Sequence, residues 1–279
     1  MRQNLLSAFN TSPFFSTKHN HYFNIYDQLF SKYQDKEITF VEVGVLSGGS
    51  LFMWRDFLGH KARIIGIDLN PGSMKWNDDF EIFIGDQADP NFWNSFYNKV
   101  GKIDVLLDDG GHRNRQQIQT VVSSLEWINN GGMIVTEDTH TSFMSLFGNP
   151  SKYSFINFAT NKSEALTKRH TLIGKIDQLV SRVYSIRFFD SIVAFEINDK
   201  FSAPGSAITN NGARVQLGDF KNNSLSVVSS FIRYCRITGA KKFFYLKKIK
   251  LLRVIVNAVF SLYWKFESKI GDRDLKQYF

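Results

Sequence analysis

The 279 residues contain one cysteine, Cys235, so no internal disulfide can form. The opening residues, MRQNLLSAFNTSPFF, lack the long apolar stretch and small-residue cleavage site of a secretory signal. The longest uncharged apolar-leaning run, Val254 to Trp264, falls well short of the roughly 20 residues that a membrane-spanning helix needs. A cytoplasmic protein is therefore expected. Neither GxGxxG nor GxxxxGKS/T occurs, so the diagnostic dinucleotide spacing and the usual triphosphate loop are both missing. There is no internal repeat and no low-complexity block.

Acidic charge is scarce only at one end. Residues 201–279 hold 14 Lys and Arg against 4 Asp and Glu, whereas residues 1–200 hold 20 against 22. The net charge of +8 thus belongs to the tail, which is either a solvated face or a segment that meets something acidic. Residues 199–224 are polar and rich in Gly, Asn and Ser and read as a linker. Beyond it, residues 225–279 form an expected basic helical extension. In Phe243–Phe266 the polar residues Lys247, Lys250, Arg253, Asn257, Ser261 and Lys265 make a narrow stripe on a mostly apolar helix. Such a helix buries itself against the body, a second copy of the chain, or an anionic membrane surface.

Residues 1–198 form the expected main domain. Short apolar, β-branched runs recur there: Ile38–Val45, Arg63–Leu69, Phe80–Asp86, Ile103–Asp109 and Gly132–Asp138. Helical spacing lies between them at Ser50–Leu58 and Gln116–Ile128, the alternation of an α/β fold with a parallel sheet. A further helix is expected over Ser163–Val183. Tyr184–Phe189 and Ile192–Ile197, joined at Asp190 and Ser191, read as a hairpin closing one sheet edge.

Ligands of open parallel sheets bind beyond the carboxyl ends of the strands, and here those ends carry acids. The first gives Glu42 and Gly44, then Gly48 and Ser50 opening a helix; glycines admit a ligand close to the backbone and the helix start offers free N–H groups. The second ends at Asp68, about 20 residues on, suited to a ribose hydroxyl pair or else to capping a turn. The third ends at Asp86 and Gln87, which suit an adenine edge or a simple β-turn. Together they point to an adenosine-containing ligand.

The fourth strand ends in Asp108 and Asp109, followed by two glycines and His112, and the fifth in Glu137 and Asp138. Carboxylates brought side by side repel one another unless a cation joins them, and an oxygen-rich set without cysteine favours Mg²⁺, with Mn²⁺ as a substitute. Asp108 is expected to face away from Asp109 along the strand. His112 is a candidate general base beside that site, or else a structural histidine. His140 either orients an acceptor or caps its loop.

The stretches VEVGVLSGGSLFMWRDFLG, IIGIDLNP, IFIGDQADP, VLLDDGGH, GGMIVTEDTHTSF and SIRFFDSIVAFEI, in this order, resemble the class I, metal-dependent sugar O-methyltransferases typified by the macrolide deoxysugar enzymes, together with relatives labelled cephalosporin hydroxylase-like. The resemblance covers roughly residues 16–198. It implies a Rossmann-like class I methyltransferase fold, with seven mostly parallel strands and an antiparallel C-terminal hairpin strand. It also implies S-adenosyl-L-methionine at the glycine turn, Mg²⁺ on Asp109, Glu137 and Asp138, and His112 as base. The acceptor implied is a hydroxyl of a sugar or glycoconjugate. STKHNHYFNIYDQLF matches more loosely and puts His21 and Tyr22 on the acceptor side. Gly111 stands where the family carries serine, and neither the macrolide enzymes' large N-terminal domain nor the basic tail is shared.

Two other classes compete. An Fe(II) oxygenase would use His112, His140 and a carboxylate as a facial triad, which leaves the glycine turn, Asp68 and Asp86 idle. A polyanion-binding protein would use the tail lysines with Phe243, Phe244 and Tyr245, but no nucleic-acid motif accompanies them, so nucleic acid is not the expected partner.

Overall fold

The computed structural model describes residues 4–77, 79–169, 177–203 and 208–213. The expected basic extension over 225–279 lies outside the described residues, as does most of the expected linker. Among the described residues no helix is long and apolar enough to cross a membrane.

Seven strands form one sheet: β1 (Thr39–Val43), β2 (Arg63–Asp68), β3 (Glu81–Ile84), β4 (Ile103–Asp108), β5 (Ile128–Thr136), β6 (Val183–Phe189) and β7 (Ile192–Ile197). Their order across the sheet is β3-β2-β1-β4-β5-β7-β6. The first five run parallel, β7 runs antiparallel to β5, and β6 returns antiparallel beside β7. The strands are near-continuous apolar runs because helices cover both faces. On one face α1 (Leu5–Thr11), α2 (Tyr22–Phe30) and α3 (Gly49–Leu58) bury Tyr26, Phe30 and Trp54 against Phe40 and Val105. On the other, α4 (Pro90–Val100), α5 (Asn114–Ser124) and α6 (Phe155–Lys168) bury Trp93, Phe96, Val121 and Phe155 against Val41, Leu106 and Ile134.

The five expected runs, the helix before residue 58 and the hairpin about Asp190 and Ser191 are all present. Three bounds differ. The helix expected to reach Ile128 is α5, which ends at Ser124; Leu125–Trp127 tighten into a 3₁₀ turn, and Ile128 already pairs with Ile103. The fifth strand therefore starts earlier than Gly132. The helix expected over Ser163–Val183 is instead α6, started at Phe155 by Ser154, whose Oγ accepts from Asn157 N at 3.2 Å. Its C-terminal bound moves back because the guanidinium of Arg169 donates to the carbonyls of Val180 and Val183, both at 2.6 Å. From Asp177 the described chain makes a 3₁₀ turn over Gln178–Val180 and then enters β6.

Candidate active site

β1 is flanked by β2 and β4, so the loops leaving β1 and β4 part in opposite directions above the sheet. At this switch point lies a cavity of about 590 Å³. Its walls come from the turn after β1, the ends of β2 to β5, and an N-terminal strap that includes Phe15–His19. The turn is glycine-dependent. Gly44 has φ +95°, and a Cβ there would stand 2.1 Å from the carbonyl oxygen of Asp109. The first and fourth strand ends can therefore approach only if this residue is glycine.

On the β2–β3 side, Gly44, Gly48, Asp68 and Asp86 are placed at or beside the cavity. Asp68 accepts from Val45 N (2.8 Å), Leu46 N (3.1 Å) and Asn70 N (2.8 Å), so it braces the glycine turn while lining the cavity. Asp86 Oδ1 accepts from Ala88 N at 2.8 Å. Gln87 turns inward: its amide donates to Asp108 Oδ1 (2.9 Å) and Thr120 Oγ1 (3.1 Å), and its oxygen accepts from Gly111 N (2.9 Å). An amide so engaged is a strut from the loop after β3 to the end of β4 and to α5, and Asp108 faces it, away from Asp109 as alternation requires. Glu42 is likewise behind the wall, accepting from Ser50 Oγ at 2.7 Å and Trp54 Nε1 at 3.1 Å. Burial pushes its carboxyl up to about 7 against the pull of Lys18.

On the β4–β5 side the sequence foresaw a cluster of carboxylates but not its resident cation. Lys18 Nζ lies 2.6 Å from Asp109 Oδ2, 3.0 and 3.1 Å from the two oxygens of Glu137, and 3.8 Å from Glu42 Oε1. Its side chain is 1 % exposed. Burial alone would neutralise the ammonium, but the three carboxylates outweigh it and hold the pKa well above the ordinary value. Glu137 also accepts from Tyr26 Oη. Its pKa is raised, first by burial and then by Asp109, against Lys18 and Tyr26. Lys18 and Tyr26 were both missed, and the only signal for them was the loosely matching N-terminal stretch.

Asp138 and His112 complete the floor. Both have left-handed backbones, φ +53° and +56°, uncommon for residues other than glycine and frequent where a side chain must be aimed. Tyr22 Oη donates to Asp138 Oδ1 at 2.6 Å. His112 Nε2 lies 3.5 Å from Asp138 Oδ2 and 4.0 Å from Asp109 Oδ1. Its carbonyl is held by Thr141 Oγ1 (3.1 Å) and Asn149 Nδ2 (2.9 Å). Ligand atoms of Asp109, His112 and Asp138 all lie within 4.8 Å of one another, as do those of His19, Asp138 and His140. Neither group includes Glu137, and His112 and His140 do not share one. Two carboxylate oxygens facing each other across the histidine suit a hard divalent cation on Asp109 and Asp138. His140 Nδ1 bonds Ser191 Oγ, and His21 Nε2 contacts the Asp190 carbonyl at 3.2 Å; both are aimed at the hairpin turn, while Tyr22 lines the cavity.

No family model matches the chain. Among curated proteins it is 30 % identical over 129 residues to the 8-demethyl-8-alpha-L-rhamnosyl tetracenomycin-C 2'-O-methyltransferase of Streptomyces olivaceus, covering 44 % of this chain and 34 % of that protein. It is also 30 % identical over 133 residues to the demethylmacrocin O-methyltransferase of Streptomyces fradiae (45 % and 33 %). Against the mycinamicin VI 2''-O-methyltransferase of Micromonospora griseorubida it is 29 % identical over 130 residues (44 % and 32 %). The matched stretch thus spans about a third of these relatives' length. Among solved structures, the MycE methyltransferase in complex with Mg, SAH and mycinamycin VI superposes with a TM-score of 0.66 at 20 % identity, covering 76 % of this chain and 57 % of that one. The fold is that of the class I methyltransferases. The resemblance carried by the motifs, to sugar O-methyltransferases of that class, is borne out by the relatives found.

Proposed function

We propose that this chain is an S-adenosyl-L-methionine-dependent, Mg²⁺-dependent O-methyltransferase acting on a hydroxyl of a sugar or glycoconjugate. The observation that carries the reading is the convergence of His112 Nε2 with one oxygen each of Asp109 and Asp138, at the floor of the cavity that the glycine turn, Asp68 and Asp86 line. The sugar O-methyltransferases among the relatives support the acceptor class, and MycE's complex with Mg and SAH supports the two ligands.

In this reading Gly44 lines the donor's end of the cavity and Gly48, where a Cβ would meet the Trp76 indole, lets the turn close into α3. Asp68 and Asp86 face its nucleoside, Ser50 and Gln87 brace these loops at the cavity wall, and Glu42 holds Ser50 from behind. Asp109 and Asp138 would hold the metal, Glu137 being engaged by Lys18 and Tyr26. When bound, the donor would supply an electrophilic sulfonium methyl group and the metal would lower the pKa of a nearby sugar hydroxyl. His112 would accept the proton of that hydroxyl at Nε2, the atom it turns toward Asp109 and Asp138. Tyr22 fixes the Asp138 carboxylate, and the strap at Lys18 excludes water from Glu137. His140 and His21, at the hairpin turn, are left for the outer part of an acceptor.

The reading places the protein in the cytoplasm. Contact of the basic extension with an anionic membrane, or with a second copy, concerns residues outside those described. Incubation of the full chain with methyl-labelled donor and a panel of glycosides tests the function. Label should reach a sugar hydroxyl with Mg²⁺ and not in EDTA; a folded protein that transfers no label and binds no S-adenosylhomocysteine would refute it.

A further inference from the structure

A second cavity, of about 570 Å³, opens on the outer side of His112. Its charge is opposite to that of the first. The first is lined by Asp68, Asp86, Asp109, Glu137 and Asp138, whereas the second has no acid in its lining and two guanidiniums, Arg113 and Arg115. Among the described residues neither arginine makes an ion pair, although other arginines, such as Arg63, Arg182 and Arg187, do. Lys152 adds a third cation at the rim, its Nζ 4.9 Å from the ring centre of Tyr153, which lines the cavity and is 72 % exposed.

The cavity is joined to the candidate active site by rigid parts. Phe147 lines it and packs edge-on against His112, ring centres 5.8 Å apart. Asn149, 1 % exposed, donates to the carbonyls of His112 (2.9 Å) and Thr141 (2.8 Å) and accepts from Asn114 N (2.9 Å). Asn114 in turn donates to the Asn149 carbonyl and accepts from Phe155 N, both at 2.9 Å. The loop presenting the base and the wall between the arginines are therefore one hydrogen-bonded unit. Two exposed guanidiniums without an ion-pair partner among the described residues, lining one cavity with an exposed aromatic ring, offer the charge, the forked donors and the flat face that an oxyanion carried on a sugar would use.

We propose that this cavity is the anion-binding part of the acceptor site, and that the acceptor is a sugar bearing a phosphate or a carboxylate. The inference rests on the methyl-transfer reading above and specifies its substrate class: the reacting hydroxyl lies at His112, and the anionic group, beyond Phe147, meets Arg113 and Arg115 in the cavity they line. No bond is made or broken in this cavity; it positions the acceptor.

The test uses the full chain in EDTA, so that no metal can bind the anion, saturated with S-adenosylhomocysteine whose own binding is measured first. Glucose 1-phosphate, glucuronate and methyl glucoside are then titrated into wild type and into the Arg113→Gln, Arg115→Gln double variant, with thermal unfolding as a control for folding. At least one anionic probe should bind about tenfold or more tighter than the neutral one, the scale of one charge-assisted hydrogen bond, and the double variant should lose that preference while keeping S-adenosylhomocysteine. A preference for glucose 1-phosphate assigns the anion as phosphoryl, and one for glucuronate as carboxyl. Equal affinities for all three probes, or an undiminished preference in the double variant, would overturn the inference alone. Failure of S-adenosylhomocysteine to bind would overturn the methyl-transfer reading and this inference with it. If the double variant does not fold, Arg115→Lys, which keeps the charge but not the fork, is expected to weaken the preference, and an unaltered preference there overturns the proposal.

Discussion

Lys18 Nζ sits 3.0 and 3.1 Å from the two oxygens of Glu137, and both side chains are 1 % exposed. This ammonium, with Asp109 at 2.6 Å, supplies from within the chain the cation that three clustered carboxylates demand. Lys18→Met should therefore destabilise the protein by about 3–5 kcal/mol in EDTA, the usual cost of removing one partner of a buried pair. Urea unfolding measures it. Mg²⁺ should restore more stability to the variant than it adds to wild type, because uncompensated carboxylates then bind it without competition. Equal stability of both proteins in EDTA would contradict the assignment.

Glu42 makes this cluster pH-dependent. Its folded pKa, about 7, lies above the ordinary 4.5, first because it is buried. The folded state thus holds the proton more tightly than the unfolded chain between these values. The stability Glu42 contributes is complete below pH 4.5 and is lost as pH rises through about 7. Glu42→Gln should flatten the fall in unfolding free energy across this window, as measured by urea titrations in EDTA. A slope unchanged by the substitution would show that another group carries it.

Gln87 separates a strut from a ligand contact. Gln87→Ala leaves Asp108 buried without its amide partner and should cost about 1–3 kcal/mol of stability. Although Gln87 lines the cavity, both ends of its amide are already engaged by the protein, so affinity for S-adenosylhomocysteine should change little. A large loss of affinity at unchanged stability would instead put the amide on the nucleoside.

His112 combines a left-handed backbone with a side chain aimed at Asp109 and Asp138. His112→Asn keeps a residue that tolerates this backbone. Thermal unfolding should be near wild type, while methyl transfer falls by about 10²–10⁴, the usual contribution of a general base. Full activity in the variant would remove His112 from the reaction.

Most of the fold could be read in the chain because its signals are local. Apolar β-branched runs give the strands, the glycines at 44 and 48 give the first turn, and Asp190 with Ser191 gives the hairpin. The bounds of α5 and α6 were not legible, since they depend on distant pairings: Ile128 on Ile103, and Arg169 on the carbonyls of Val180 and Val183. The same holds for the site. Asp109, Glu137 and Asp138 announce themselves as strand-end acids, yet Lys18 reaches Asp109 across 91 positions and Glu137 across 119. Nothing local marks a lysine that will be buried between them. Nor could the alternatives at Gln87 be decided from the sequence, because its partners sit on β4 and α5.

The most direct measurement is calorimetric titration of the full chain with S-adenosylhomocysteine, repeated on Asp86→Ala. Saturable binding to wild type, weakened about tenfold or more in the variant while its thermal unfolding is unchanged, is the predicted result, since Asp86 faces the cavity with one carboxylate oxygen uncommitted. A folded wild-type protein that gives no binding heat and no competition with the methylated donor would contradict the account.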